Sequence, residues 1–242
     1  MDHLVLVIRD QRLSLEEQIQ FTEAMGVPEL SWDRKSAHPE DPRVQVINSQ
    51  ARPPGVMSTS QIWHTDASFT QTPPLFTILH ALEVPSEGGE TAFVDLRRAF
   101  DELPEALRGQ LSCLQAVHSY DHVLRRVRAH RYSEQESVEE SRIFPDVRHP
   151  LIRTHPDTGR RALYLNPLCV ERLENLPLAE SDRLLGAVHA HAIEPRWTYI
   201  HCWTSGDVVV WDNASLIHRG HPAPASQARR FHRTTTIGSI PR

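Results

Sequence analysis

The closing stretch of the chain limits its fold more than any other part. Trp197–Trp203, Val208–Trp211 and Phe231–Ile237 follow in close order, rich in β-branched and aromatic residues, and Ser205-Gly206-Asp207 supplies the turn between the first two. Upstream, Leu4–Ile8, Val44–Ile47, Phe76–Val84 and Thr91–Leu96 read as further strands, with Pro85-Ser86-Glu87-Gly88-Gly89 as a turn. Leu151–Thr154 and Ala162–Leu165 flank Pro156-Asp157-Thr158-Gly159 as a hairpin. Helices are fewer. One starts at Ser14, which forms a capping box with Glu17, and ends near Gly26, with Leu15, Ile19, Phe21 and Met25 as its apolar residues. Others cover Arg97–Leu103, Pro104–Cys113 with Pro104 in the first turn, and Leu178–Ile193. Ala51–Ser60 reads as a loop, and residues 121–146 as a charged, irregular flap. Many short strands with turns at short intervals predict a mainly β fold with flanking helices, a double-sheet jelly roll.

At 242 residues with no repeat and no internal break, residues 1–242 are expected to form a single domain. A formal charge of −5 gives no basic footprint, so neither nucleic acid nor an anionic membrane surface is an expected partner. The apolar run near the N-terminus is too short for a signal sequence and no segment reads as a membrane span. Cys113, Cys169 and Cys202 are far apart and odd in number, which points to a reducing compartment, the cytoplasm.

His64-Thr65-Asp66 is a His-x-Asp pair. In an extended segment its two side chains share a face, so an imidazole and a carboxylate can meet one metal. A second histidine, His218, follows the strand Val208–Trp211, and two imidazoles with one carboxylate leave three positions open on an octahedral ion. This is the facial triad of non-haem Fe(II) oxygenases. The pair alone is a weak signal, because His155-Pro156-Asp157 repeats it, although Asp157 there heads a turn. Two further features favour the first pair. Arg229, Phe231, Arg233 and Thr235 alternate along the last strand, which puts Arg229 and Arg233 on one face roughly 13 Å apart. Arginines facing inward need anions, such as a dicarboxylate. Arg230 and His232 then take the solvated face. Gly88-Gly89-Glu90-Thr91 places the Thr91 hydroxyl where it can bind a carboxylate.

Together these segments resemble the taurine/2,4-dichlorophenoxyacetate dioxygenase (TauD/TfdA) family. The likeness rests on Ile62–Phe69, Pro85–Thr91, Trp211-Asp212-Asn213, His218-Arg219-Gly220 and Arg229–Thr235, supported by Arg148–Pro156 and Leu163–Asn166, and runs from about residue 3 to 238. The resemblance implies a double-stranded β-helix core. It implies His64, Asp66 and His218 as Fe(II) ligands and Thr91 with Arg229 as the grip on the distal carboxylate of 2-oxoglutarate. Arg233 falls near the acidic end of the substrate, and Trp211-Asp212-Asn213 is read as scaffold.

The implied reaction consumes O2 and 2-oxoglutarate, releases succinate and CO2, and hydroxylates a small anionic organic substrate: a sulfonate, sulfate ester, aryloxy acid or other carboxylate. The intact Asp66 favours hydroxylation over halogenation. The alternatives are desaturation or oxidation of an amino-acid derivative at the same site, or a jelly roll that binds metal without turnover. A homo-oligomer is expected. The segment before the first strand is shorter than the family's. Pro28–Asp33 stands where taurine enzymes carry a His-rich stretch, and Ser60 takes an Asn place, so taurine itself is not the expected substrate. For Arg233 the competing roles are a second co-substrate partner or a structural ion pair. Phe69, Phe76 and Phe144 are assigned to core packing in preference to an apolar lining of the pocket.

Overall fold

A computed structural model describes the backbone of residues 2–49, 59–131 and 142–242, and their side chains except at 127–131. Two antiparallel sheets face each other. The larger is ordered β1-β11-β3-β13-β2, from β1 (Val5–Ile8), β2 (Gln45–Asn48), β3 (Phe76–Glu83), β11 (Val208–Asp212) and β13 (Arg230–Thr235). The smaller is β10-β4-β12, from β4 (Thr91–Asp95), β10 (Thr198–His201) and β12 (Leu216–Gly220). The turn at Ser205-Gly206-Asp207 therefore carries the chain from one sheet to the other. Gly206 there has φ +87 and a Cβ would meet the Gln11 carbonyl at 3.0 Å, so glycine is required.

Side-chain alternation explains why the sheets read as continuous apolar runs. Leu79, Ala81, Val209, Trp211 and Phe231 of the larger sheet meet Phe93 and Leu216 of the smaller one in the interior. The alternate residues Ile78, Val208 and Val210 point outward beneath α1 (Leu15–Met25), against Phe21 and Met25. On the smaller sheet Ala92, Val94 and Ile217 face outward into a third apolar layer with Leu184 and Val188 of α5 (Leu178–Ala192). At the central strands both faces are covered, which turns period-two patterning into runs such as Val208-Val209-Val210-Trp211, while Leu6 of edge strand β1 and Tyr199 and Ile200 of edge strand β10 stay exposed.

The capping box at α1 forms as its sequence predicts: Ser14 Oγ accepts from Glu17 N–H and the Glu17 carboxylate accepts from Ser14 N–H. Such a cap contributes about 1 kcal/mol. The helix buries Gln18 and Thr22 as fully as Ile19, because Thr22 and Gln18 meet Thr234 of β13 by hydrogen bonds at 2.7 and 3.5 Å. That contact corrects the expectation of a solvated outer face on β13. Arg230 is exposed there and pairs with Glu83, but His232 is half-buried against His38, and Thr234 is fully covered.

Between β4 and β10 the chain inserts α2 (Leu96–Asp101), α3 (Glu105–Leu111), α4 (Tyr120–Arg131), a small sheet β6-β5-β9, and the hairpin β7 (Ile152–Thr154) with β8 (Arg161–Leu163). The small sheet is built from β5 (Gln115–His118), β6 (Val147–Pro150) and β9 (Val170–Leu173). Pro104 caps α3 from just outside its first turn. The predicted irregular flap begins instead as helix α4. Residues 132–141 of that flap, and most of the Ala51–Ser60 loop, lie outside the described residues.

Candidate metal centre and co-substrate pocket

His64 lies outside the strands but is clamped to β12. Its N–H donates to the His218 carbonyl at 3.0 Å and the His218 N–H donates to its carbonyl at 2.8 Å, an isolated antiparallel bridge. Directly bridged residues put their side chains on the same side, so the two imidazoles stand with ring centres 4.2 Å apart. The i, i+2 spacing adds Asp66, whose Oδ1 is 3.9 Å from Nε2 of both histidines. One ligand atom from each of the three residues falls within 4.8 Å of the others. No second cluster of three such residues occurs among the described residues.

The hydrogen bonds around this trio fix how each group presents itself. His64 Nδ1 lies 2.7 Å from the Ile62 carbonyl, which assigns the ring proton to Nδ1 and leaves the Nε2 lone pair for a metal. Thr77 of β3 donates to Asp66 Oδ2 at 2.6 Å, which leaves Oδ1, the oxygen that faces both imidazoles, as the candidate ligand atom. Asn213 in turn donates to Thr77 Oγ1 at 2.8 Å, and accepts at Oδ1 from the Trp211 indole (3.1 Å) and the Asp66 N–H (3.3 Å). Thr65 adds a bond to the Asn213 carbonyl at 2.9 Å. Directly after Asp66 the backbone turns at Ala67 with φ +43, a left-handed conformation costly for a residue with a side chain.

Charge prepares the same geometry. Burial lowers the pKa of His218 to about 3, helped by the neighbouring His64 and Arg233 against the pull of Asp66. Burial lowers His64 as well. Burial alone would raise Asp66, but Arg233, both imidazoles and the Thr77 hydroxyl outweigh it and hold the carboxyl at about 2. At neutral pH the trio is thus two neutral imidazoles and one carboxylate, the protonation a divalent ion requires.

The other predicted residues fall on the same interior face. Arg233 donates to Asp66 Oδ1 at 3.1 Å, which gives the ion-pair alternative for this residue a named partner. The Thr91 hydroxyl accepts from the Trp203 indole at 2.9 Å, so its own hydrogen can serve a ligand. Trp203 packs on Phe231 with ring centres 4.8 Å apart, and the Arg229 guanidinium carbon sits 4.4 Å from the Phe231 ring centre. One aromatic pair therefore supports both Thr91 and Arg229. The Gly88-Gly89 turn, at φ +70 and +73, fits beside them. A Cβ on Gly88 would meet the Pro222 carbonyl at 2.7 Å, and one on Gly89 would crowd Arg229 Nε at 3.4 Å.

The competing pair separates. His155 Nε2 faces Asp212 at 3.2 Å, both nearly inaccessible, while the Asp157 N–H donates back to His155 Nδ1. Phe69 and Phe144 pack edge-on with Trp32, Phe144 also edge-on with Tyr120 and Phe69 tilted against it, and Phe76 packs under α1, as core residues.

Sequence reasoning did not single out Thr77 or Glu29. Thr77 carries one signal, its inward parity with Leu79 and Ala81. Glu29 sits in the stretch that departs from the taurine pattern. Its carboxylate accepts from Thr235 at 3.2 Å, within range of Arg233 and Asp66, and burial raises its pKa.

Replacing Thr77 with valine keeps the shape and deletes the bond to Asp66 Oδ2. Loss of such a support typically costs 10–100-fold in metal affinity. Mn(II) titration followed by electron paramagnetic resonance should show a drop of about that size, with recovery in Thr77→Ser. Unchanged affinity in the valine variant would exclude Thr77 from the site.

Two facing antiparallel sheets with an inward-facing pair of histidines and a carboxylate define the class of non-haem metal oxygenases. The family described as taurine catabolism dioxygenase TauD, TfdA family matches residues 1–235, and the chain belongs to it. The chain is 33% identical to an alpha-ketoglutarate-dependent 2,4-dichlorophenoxyacetate dioxygenase of Burkholderia sp. (strain RASC), over 97% of this chain and 82% of that protein. It is 31% identical to an alpha-ketoglutarate-dependent sulfate ester dioxygenase of Pseudomonas putida, over 99% of this chain and 78% of the relative. The solved structure of AAD-2 in complex with Mn(II) and N-oxalylglycine superposes with a TM-score of 0.81 at 29% identity, covering 98% of this chain and 84% of the other. The protein is accordingly a 2-oxoglutarate-dependent dioxygenase with the jelly-roll fold its sequence predicts.

Proposed function

We propose that the chain, as one dioxygenase domain, uses Fe(II) held by His64, Asp66 and His218 to hydroxylate a small anionic organic substrate. The observation that carries this reading is the convergence of two neutral imidazoles and one ionised carboxylate within 4.8 Å, with the His64 tautomer and the Asp66 ligand oxygen both fixed by hydrogen bonds. That donor set suits a divalent ion of the iron type and leaves positions for co-substrate and O2.

When bound, Fe(II) with 2-oxoglutarate supplies the oxygen chemistry, placing one oxygen atom in succinate and one in the substrate. The protein's part is placement. Arg229 and Thr91 hold the distal carboxylate of 2-oxoglutarate by a charge-assisted pair and a hydroxyl bond. Thr77 and Asn213 keep Asp66 from rotating. Arg233 gives one N–H to Asp66 and offers its remaining N–H groups to the acidic end of the substrate. Glu29 beside it tempers that positive charge, which tunes the pocket toward singly charged acids. The likeness to an aryloxyacetate enzyme and a sulfate ester enzyme supports acids of those two kinds. The three free cysteines fit a cytoplasmic setting, and a homo-oligomer is the expected assembly. No helix among the described residues is long and apolar enough to cross a membrane.

The test is succinate release from 2-oxoglutarate with Fe(II), ascorbate and a panel of aryloxyacetates, alkyl sulfates and alkylsulfonates. Substrate-stimulated succinate formation is the expected result. Failure of every acid to raise succinate above the uncoupled rate would reject the substrate class.

A further inference from the structure

Behind the metal loop lies a polar cluster that the proposed reaction does not use. Arg153 of β7 is 1% exposed, and its Nε and both terminal nitrogens have no hydrogen-bond partner among the described residues. Its guanidinium carbon stands 5.1 Å from the centre of the Tyr164 ring. The His118 ring stacks on Tyr164 at 5.6 Å and meets the His149 ring at 4.9 Å. His118 Nε2 and His149 Nδ1 are likewise buried without partners among the described residues, and Tyr164 Oη is buried beside the Arg153 guanidinium.

The bonds that do exist limit which of these atoms carry hydrogen. His149 Nε2 faces the carbonyls of Ser68 and Thr70, each at 3.0 Å, so the ring proton sits on Nε2. Ser68 Oγ accepts from the Asn166 amide at 2.6 Å and lies 2.7 Å from His118 Nδ1. The Asn166 orientation is set by its Oδ1, which accepts from the N–H groups of Leu168 and Cys169. Ser68 Oγ has a second lone pair, so it serves His118 Nδ1 as acceptor in one tautomer and as donor in the other. Burial keeps both imidazoles neutral, lowering His118 well below its ordinary value. Burial also raises the Tyr164 phenol to about 12, against the pull of Arg153, so its hydroxyl retains its proton.

The cluster is thus a guanidinium, a phenol that donates and accepts, and two neutral imidazoles, with no anionic group against the guanidinium among the described residues. Its net charge is +1. The Tyr164 ring face offsets part of the cost of burying that charge, but a buried cation without an anion is unfavourable in a closed interior.

We infer that this cluster binds one small monovalent anion of the halide class, chloride under cellular conditions. A halide accepts donors from any direction and matches a single guanidinium in charge. Sulfate or phosphate would bring a second charge that nothing here balances. Because His118, His149, Arg153 and Tyr164 are each no more than 1% exposed, a larger organic acid has no path in. The anion also braces the metal centre: His118 and His149 both bond Ser68, two residues beyond Asp66.

Crystals of the wild-type protein grown in bromide, with diffraction collected at the bromine edge, test this directly. The expected result is one anomalous peak within hydrogen-bonding distance of the Arg153 guanidinium. In solution at constant ionic strength, replacing gluconate by chloride should raise Tm saturably, by about 3–6 °C at tenfold saturation. Tyr164→Phe, which removes one donor and no charge, should shift the half-saturating chloride concentration about tenfold upward. Water without anomalous signal at the cluster, no density there at all, or an unshifted half-saturation in Tyr164→Phe would each overturn the inference.

Discussion

Replacing His218 with alanine is expected to abolish metal binding while leaving the fold intact. The backbone bridge between His64 and His218 uses main-chain atoms only, so the exchange keeps the clamp between the Ile62–Phe69 loop and β12. What is lost is one of three ligand atoms and its stacking on Phe93 and Trp211, at ring separations of 5.9 and 4.8 Å. Trimming a buried side chain of this kind destabilises by about 1–3 kcal/mol. Part of that is offset, because two desolvated imidazoles no longer crowd each other. Metal affinity, in contrast, should fall by more than the 10–100-fold typical of a supporting residue, and succinate formation should vanish. Mn(II) titration beside a thermal melt separates the two effects. Wild-type affinity in a folded variant would remove His218 from the ligand set.

The second large effect is expected at Arg229. Its guanidinium is held over Phe231, whose ring also carries the Trp203 indole that fixes Thr91. Arg229→Ala leaves this aromatic pair in place and deletes one cation. Truncating one partner of a buried charge pair costs about 2–5 kcal/mol, a factor of roughly 30 to several thousand at 1.4 kcal/mol per tenfold. The KM for 2-oxoglutarate should rise by that factor, while the affinity for Mn(II) alone stays within about threefold of wild type. Arg229→Lys should recover only part, since an ammonium cannot make the bidentate bond. An unchanged KM would show that the distal carboxylate is held elsewhere.

The barrel strands were legible because their residues are buried on both sides and end at turn residues. β12 was not, since Asp212-Asn213-Ala214-Ser215 reads as a loop and only four residues follow before Gly220. Its partner β4 supplies the pairing that makes it a strand, with His218 opposite Phe93. For α4 the signal was present but masked. Tyr120, Val123 and Leu124 bury one helical face, yet the charged residues around them make the segment read as irregular.

Of the candidate site, residue types in order and spacing were enough to nominate His64, Asp66 and His218, and the structure brings those three together. Of the supports, Asn213 was legible only as scaffold through the family resemblance and Thr77 not at all, because contact across the fold brings them to Asp66: Thr77 lies 11 residues from it in the chain and Asn213 lies 147 away. Arg153 shows the limit most plainly. In sequence it is one residue of a short strand, and only the fold reveals that no acid among the described residues comes to meet it.

The proposed site has Fe(II) held by His64, Asp66 and His218 and open to 2-oxoglutarate. Its most direct test is anaerobic: metal-free protein is titrated with Fe(II), then with 2-oxoglutarate, while the visible spectrum is recorded. A weak metal-to-ligand charge-transfer band that appears only after both additions, and is absent in His64→Ala, is the predicted result. Folded protein that binds Fe(II) but shows no such band, or a band of wild-type strength in His64→Ala, would contradict the assignment.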